Sequence, residues 1–191
     1  MLKMKAKALR TLCITVLLIG GALSPLLGQV TAGVTPAAGL YSDGVDLQTV
    51  SAGFESLASV DWEPGFLAEA VPGLALSGAV GYSFVSQDGI QTNGIIAGAG
   101  ASYTIPLGIL QFYAKPGLLG GIQYSIFSGT DAGPETPFLL LPSVEAGYRW
   151  PSGLRVGVYA AFKLLFYDAG GGSENERSFT LGPKASFSFG S

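Results

Sequence analysis

Residues 154–167 alternate without a break. Even positions carry Leu154, Val156, Val158, Ala160, Phe162, Leu164 and Phe166, and odd positions carry Arg155, Gly157, Tyr159, Ala161, Lys163, Leu165 and Tyr167. A period of two marks a β-strand, because successive side chains point to opposite faces. The same pattern runs through 178–190, where Phe179, Leu181, Ala185, Phe187 and Phe189 oppose Ser178, Thr180, Lys184, Ser186 and Ser188. It recurs over 137–150, 109–127, 94–105, 74–85 and 61–71, which makes seven strands. An eighth is expected within 33–60. Its first placement is Val34–Ser42, with 43–59 as a polar loop, and its rival placement is Val45–Phe54.

The connections divide into two kinds. Pro72-Gly73, Pro106-Leu107-Gly108 and Pro151-Ser152-Gly153 are short and have turn chemistry. The stretches 86–93, 128–136 and 168–177 are polar and longer. Long and short connections in alternation predict an all-β, eight-stranded antiparallel up-and-down barrel, with tight turns at one end and longer loops at the other.

The charges decide which face looks inward. On the apolar face, strands two to eight carry no Asp, Glu, Lys or Arg. The other face carries Glu63, Glu69, Lys115, Glu145, Arg149, Arg155, Lys163 and Lys184. A soluble barrel is apolar inside and charged outside; an apolar exterior around a polar interior is what lipid requires. The reading is therefore a transmembrane barrel, and a soluble lipocalin-like barrel that binds a ligand inside is the competing alternative.

Eight strands leave a lumen that side chains just fill. Ala75, Ser77, Ala79, Gly81, Gly98, Gly100 and Ser102 turn small groups inward, opposite the long Lys115, Glu145, Arg149, Arg155, Tyr159, Lys163 and Lys184. The eight inward charges are expected to form an ion-paired network, since charges in low dielectric must be paired. Glu145 is its expected hub, near Lys115 on one side and Arg155 or Lys163 on the other.

Composition fits this picture. Only 12% of residues are charged, about half the usual share, and mean hydropathy is +0.44. Yet beyond the N-terminus no apolar run approaches the ~20 residues of a membrane helix. At the N-terminus, Lys3, Lys5, Lys7 and Arg10 precede an apolar stretch from Leu12 to Leu27, broken by Gly20, Gly21 and Pro25. Residues 1–32 read as a secretory signal peptide cleaved after Gly28 or Ala32, leaving 33–191 as the barrel domain.

The single cysteine, Cys13, lies in this leader. Of ten basic residues the leader takes four, so six remain against thirteen acidic ones. A mature chain this acidic does not suit nucleic-acid binding.

Candidate chemistry is sparse. The chain has no histidine, so serine–histidine hydrolysis and imidazole metal sites are excluded, as are His-dependent lipid hydrolases. Glu63, Glu69 and Glu145 are read as lumen ion pairs rather than an acid–base pair. Gly170-Gly171-Gly172 lacks the lysine of a phosphate loop. Asp43, Asp46, Asp88, Asp131 and Asp168 are scattered rather than spaced as calcium ligands. No catalytic residue, cofactor or metal is expected, and the protein is not expected to be an enzyme.

The leader, strand count, turns and inward charges together resemble the small eight-stranded bacterial outer-membrane barrels of the OmpA transmembrane domain and OmpX type. The resemblance covers about residues 34–190. It implies an outer-membrane location in a diderm bacterium, contact with membrane lipid and with the barrel-assembly machinery, and a monomer with a structural or cell-surface role. An extracellular ligand or host factor would meet its loops. Such barrels usually end on an aromatic residue; this chain ends Phe187-Ser188-Phe189-Gly190-Ser191, which leaves that role to Phe189. A small pore or lipophile-transporting barrel of the OmpW type is the alternative within the membrane reading.

Overall fold

The computed structural model describes residues 28–43, 50–87, 89–108, 111–167 and 175–189. Its elements are β1 (Gln29–Asp43), β2 (Val50–Glu63), α1 (Gly65–Ala70), β3 (Leu74–Gln87), β4 (Ile90–Tyr103), β5 (Ile105–Pro106), β6 (Phe112–Ser128), β7 (Phe138–Arg149), β8 (Leu154–Phe166) and β9 (Asn175–Phe189). Each long strand pairs antiparallel with the next, and β1 pairs with β9. β4 pairs with β6, and the two-residue β5 prolongs the β4 stave along β6. The sheet is therefore a closed cylinder of eight staves, with no open edge to satisfy inside a bilayer.

Proline interrupts the ladder locally. Between β1 and β9 the pairing lapses from Val34↔Ala185 to Ala38↔Leu181, the stretch that holds Pro36 and Pro183. Between β7 and β8 it lapses from Leu140↔Leu164 to Ser143↔Ala161, across Pro142. A residue without an N–H cannot donate to its neighbour.

Alternation places the side chains. On β8, Arg155, Tyr159, Ala161, Lys163 and Leu165 are buried, while Leu154, Val156, Val158, Phe162 and Phe166 are exposed. The other long strands follow suit, so the exterior is a band of exposed Val, Leu, Ile, Phe and Tyr. Aromatics gather at both ends of the band. Near the chain termini Phe112, Tyr148 and Trp150 stack edge-on at 5.3 and 4.7 Å, and Phe187 lies 4.9 Å from Phe189. At the opposite end Phe138 meets Phe166 at 6.1 Å. Two such girdles match the two interfaces of a bilayer. The soluble alternative fails here: its core would have to be the aliphatic rows that this fold turns outward.

Three expectations need correction. The first concerns 43–59, expected as a loop: most of it is β2, and the strand expected over 61–71 is the end of β2 followed by α1. Phe66, Ala68 and Ala70 mimic strand alternation, but the carbonyl of Pro64 accepts from the amides of Leu67 and Ala68 at 2.9 and 3.0 Å and starts a short helix. The second concerns 86–93, expected as a long loop. β3 runs to Gln87 and β4 begins at Ile90, so only 88–89 connect them. The polar residues there sit on paired strands that outrun the apolar band, and Asp-Gly is a natural two-residue hairpin turn.

The third is the contrast in loop length. At the terminal end of the cylinder the connections 64–73 and 104–111 span ten and eight residues, because they hold α1 and β5. Only 150–153 is tight there: Gly153, at φ 89°, donates its N–H to the Trp150 carbonyl. The barrel begins at Gln29, four residues ahead of the expected boundary at 33. Residues 1–27 of the expected signal peptide, Gly170–Gly172, Asp46, Asp88 and Asp168 lie outside the described residues.

Candidate functional site in the charged lumen

Five of the eight inward charges expected from the sequence are enclosed: Lys115, Glu145, Arg155, Lys163 and Lys184. Three are not. Glu69 lies on α1 and is exposed, because the strand that would have turned it inward is a helix. Arg149 closes β7 on the inward parity but is exposed, since the cylinder ends there. Glu63 is half-buried at the same rim, where its carboxylate accepts the Gly73 amide at 2.8 Å and ties the α1 connection to the barrel.

Two carboxylates that the sequence reading passed over complete the lumen, Glu55 and Asp61. Both lie on β2, in and beside the segment expected to be a loop. With them the ions form three pairs, among the described residues. Lys115 on β6 pairs with Asp61, reaching past β3 and β4. Lys184 on β9 lies 2.9 Å from Glu145 on β7. Lys163 on β8 lies 3.0 Å from Glu55. Glu145 stands opposite Lys115 in the β6–β7 register, as expected, but its ion-pair partner is Lys184, with Tyr113 donating to its other oxygen.

The pairs occupy two levels. Toward the terminal end, Asp61 also accepts from Ser77 at 2.6 Å and from Ser102 at 3.3 Å. The Lys184 ammonium stands 5.5 Å over the Tyr159 ring and the Arg155 guanidinium 5.6 Å over the Tyr113 ring. The small residues of β3 and β4 leave the room Lys115 needs to cross. Toward the loop end, Lys163 donates to both Glu55 and the Gln123 carbonyl, each at 3.0 Å. Gln123 in turn donates to Ser125. Here Lys163 is 1% exposed and Glu55 0%. Gly94 leaves them room: a Cβ there would stand 2.4 Å from Ser83 Oγ and 2.8 Å from the Gln123 amide, and both side chains would have to shift.

Between the two levels the lining is mostly apolar, with Thr35, Ser59 and Ser143 among it. Leu57 separates Glu55 from Asp61 along β2, and Tyr159 and Ala161 separate Arg155 from Lys163 along β8. With Ile96, Leu139, Leu141 and Leu165 they form one buried cluster. A lumen cavity beside Asp61, Lys115 and Tyr159 measures about 40 Å³. That is room for a few waters and far below the ~300 Å³ of a small-molecule site. No cluster of metal-ligating side chains occurs among the described residues.

No family model and no curated protein matches this chain. Solved structures share its fold. Neisserial surface protein A is similar at 15% identity with a TM-score of 0.60, over 84% of this chain and 98% of that one. Ail, the attachment invasion locus protein of Yersinia pestis, is similar at 12% identity and 0.52, over 85% and 100%. The outer membrane protein AlkL is similar at 11% and 0.50, over 86% and 92%. The chain has the fold of the small eight-stranded outer-membrane barrels. With an apolar exterior, a closed ladder and charges enclosed, it is an integral protein of that membrane.

Proposed function

We propose that this outer-membrane barrel is a plugged scaffold with a structural or cell-surface role, neither an enzyme nor a conduit. The observation that carries this reading is the interior: three ion pairs and an apolar cluster fill it, and the cavity beside Asp61, Lys115 and Tyr159 holds only about 40 Å³. A lipophile path of the OmpW kind would need a continuous apolar route, and the ionic levels interrupt it twice. The carboxylates that acid–base chemistry would need are held by lysines instead. What remains for function is the loop end, where the 129–137 connection carries Asp131 and Glu135 into solvent. Loops on a rigid scaffold are where recognition usually resides, and we place contact with an extracellular ligand or host factor there.

In planar bilayers the purified protein is expected to give no steady conductance; a large, persistent current would overturn the plugged reading. In cells it is expected in the outer-membrane fraction with a gel mobility that shifts on boiling. The reading includes a monomer, delivered to the assembly machinery with Phe189 as its terminal aromatic.

The leader belongs to the same proposal. Cleavage after Gly28 keeps β1 whole. Cleavage after Ala32 would remove Gln29–Ala32, in which Val30 pairs with both Trp62 and Phe189. The mature protein is therefore expected to begin at Gln29, which intact mass measurement would test.

A further inference from the structure

We infer that Arg149 and Arg155 form a binding site for a phosphate-bearing anion at the terminal mouth of the barrel. The two stand directly opposite each other in the β7–β8 register, so their Cβ atoms are about 5 Å apart on the same face. Like charges so placed repel, while the Glu145 and Asp61 carboxylates attract Arg155 without pairing with it. The other three inward cations each hold a carboxylate, whereas neither arginine has one among the described residues.

Arg155 adds a second, independent sign. Its side chain is 5% exposed, and its Nε is buried with no hydrogen-bond partner. The Tyr113 ring covers one face of the guanidinium at 5.6 Å, but a ring face cannot accept from the N–H edge. The Tyr113 hydroxyl gives its hydrogen to Glu145, and its oxygen does not meet Arg155 Nε, which has no acceptor. A buried N–H without an acceptor is costly, and an oxyanion on that edge of the guanidinium removes the cost.

The chemistry of the anion follows from the pair. Each guanidinium offers a planar fork of donors that fits two oxygens of one anion. Two positive forks side by side suit a tetrahedral phosphate better than a single carboxylate. Arg149 is exposed at the rim, so the anion enters from the terminal end without crossing either ionic level. Tyr148 and Trp150, stacked on the outer wall beside Arg149, set this mouth at the depth of the membrane interface. The phosphate could thus belong to a lipid headgroup reaching over the rim or to a free anion; both offer the same oxygens.

The test uses the full mature barrel in a neutral, phosphate-free alkyl maltoside. Its thermal unfolding midpoint is followed by gel mobility while inorganic phosphate, or in parallel a short-chain phosphatidylglycerol, is titrated at constant ionic strength with acetate as the control. Saturable stabilisation is expected from one or both phosphates and not from acetate. Arg149→Gln is expected to weaken that affinity at least about fivefold and to leave the ligand-free midpoint equal or higher, because it removes a repulsion. Arg155→Gln is expected to do the same. Response to inorganic phosphate assigns a free anion; response to phosphatidylglycerol alone assigns a headgroup. No saturation with either, equal response to acetate, or a smaller loss in Arg149→Gln overturns the site.

Discussion

Replacing Lys163 with methionine is expected to destabilise the barrel by about 3–5 kcal/mol, the usual cost of removing one partner from a buried ion pair. The Lys163 ammonium serves two acceptors, Glu55 and the Gln123 carbonyl, at 3.0 Å each. Methionine matches its length but donates to neither. Glu55 would lose that cation at 0% exposure, and its second oxygen is already without a partner. Equilibrium urea unfolding in vesicles, followed by tryptophan fluorescence, measures the loss. A change below about 1 kcal/mol would mean that water reaches Glu55 and that the plug is open at this level.

The companion variant separates pairing from packing. Lys163→Met combined with Glu55→Leu is expected to recover at least half of the single-variant loss, since apolar replacement of a whole buried pair is often neutral. The new leucine and methionine would extend the cluster of Leu57, Leu139 and Leu165. Recovery would show that the charges specify the interior more than they stabilise it. Gln123 would keep an unmet carbonyl, so recovery is not expected to be complete.

Legibility of this fold tracked the contrast between the two faces of each strand. β8 alternates large aliphatics with lysine, arginine and tyrosine, and its inward and outward rows can be read directly from the sequence. β2 is hard to read because small residues dilute Phe54, Val60 and Trp62 on one face and Glu55, Leu57 and Asp61 on the other. Ser51, Gly53 and Ser59 point one way and Ala52, Ser56 and Ala58 the other, so the alternation carries little hydrophobic contrast. The loop expected over 43–59 hid Glu55, and without it and Asp61 the pairing of Lys163 and Lys115 could not be assigned. Asp61 sits on the same parity as Glu63 and could have been found from that alone. α1 failed for the opposite reason: six residues hold less than two turns, too few for a 3.6 period to show against a chance alternation. The charge pairs cross the lumen between strands far apart in sequence, and that proximity is set by barrel closure rather than by any local pattern.

The orientation of the whole wall can be tested at one position. Val158 lies within β8, flanked on its outer face by Ala146 and Pro183, and is 55% exposed. If acyl chains cover it, Val158→Lys must place an ammonium in hydrocarbon, and the expected cost is about 2–4 kcal/mol in vesicles. The same change at Leu154, where β8 begins at the terminal end, is expected to cost about 0–1 kcal/mol, because a lysine at the interface can reach water. The ratio matters more than either value: a water-facing wall would accept both lysines equally, and a lipid-facing wall ranks them by depth. Equal, small effects at the two positions would mean that bulk water bathes the aliphatic rows. The enclosed lysines and Arg155 would then have no lipid boundary to justify their burial.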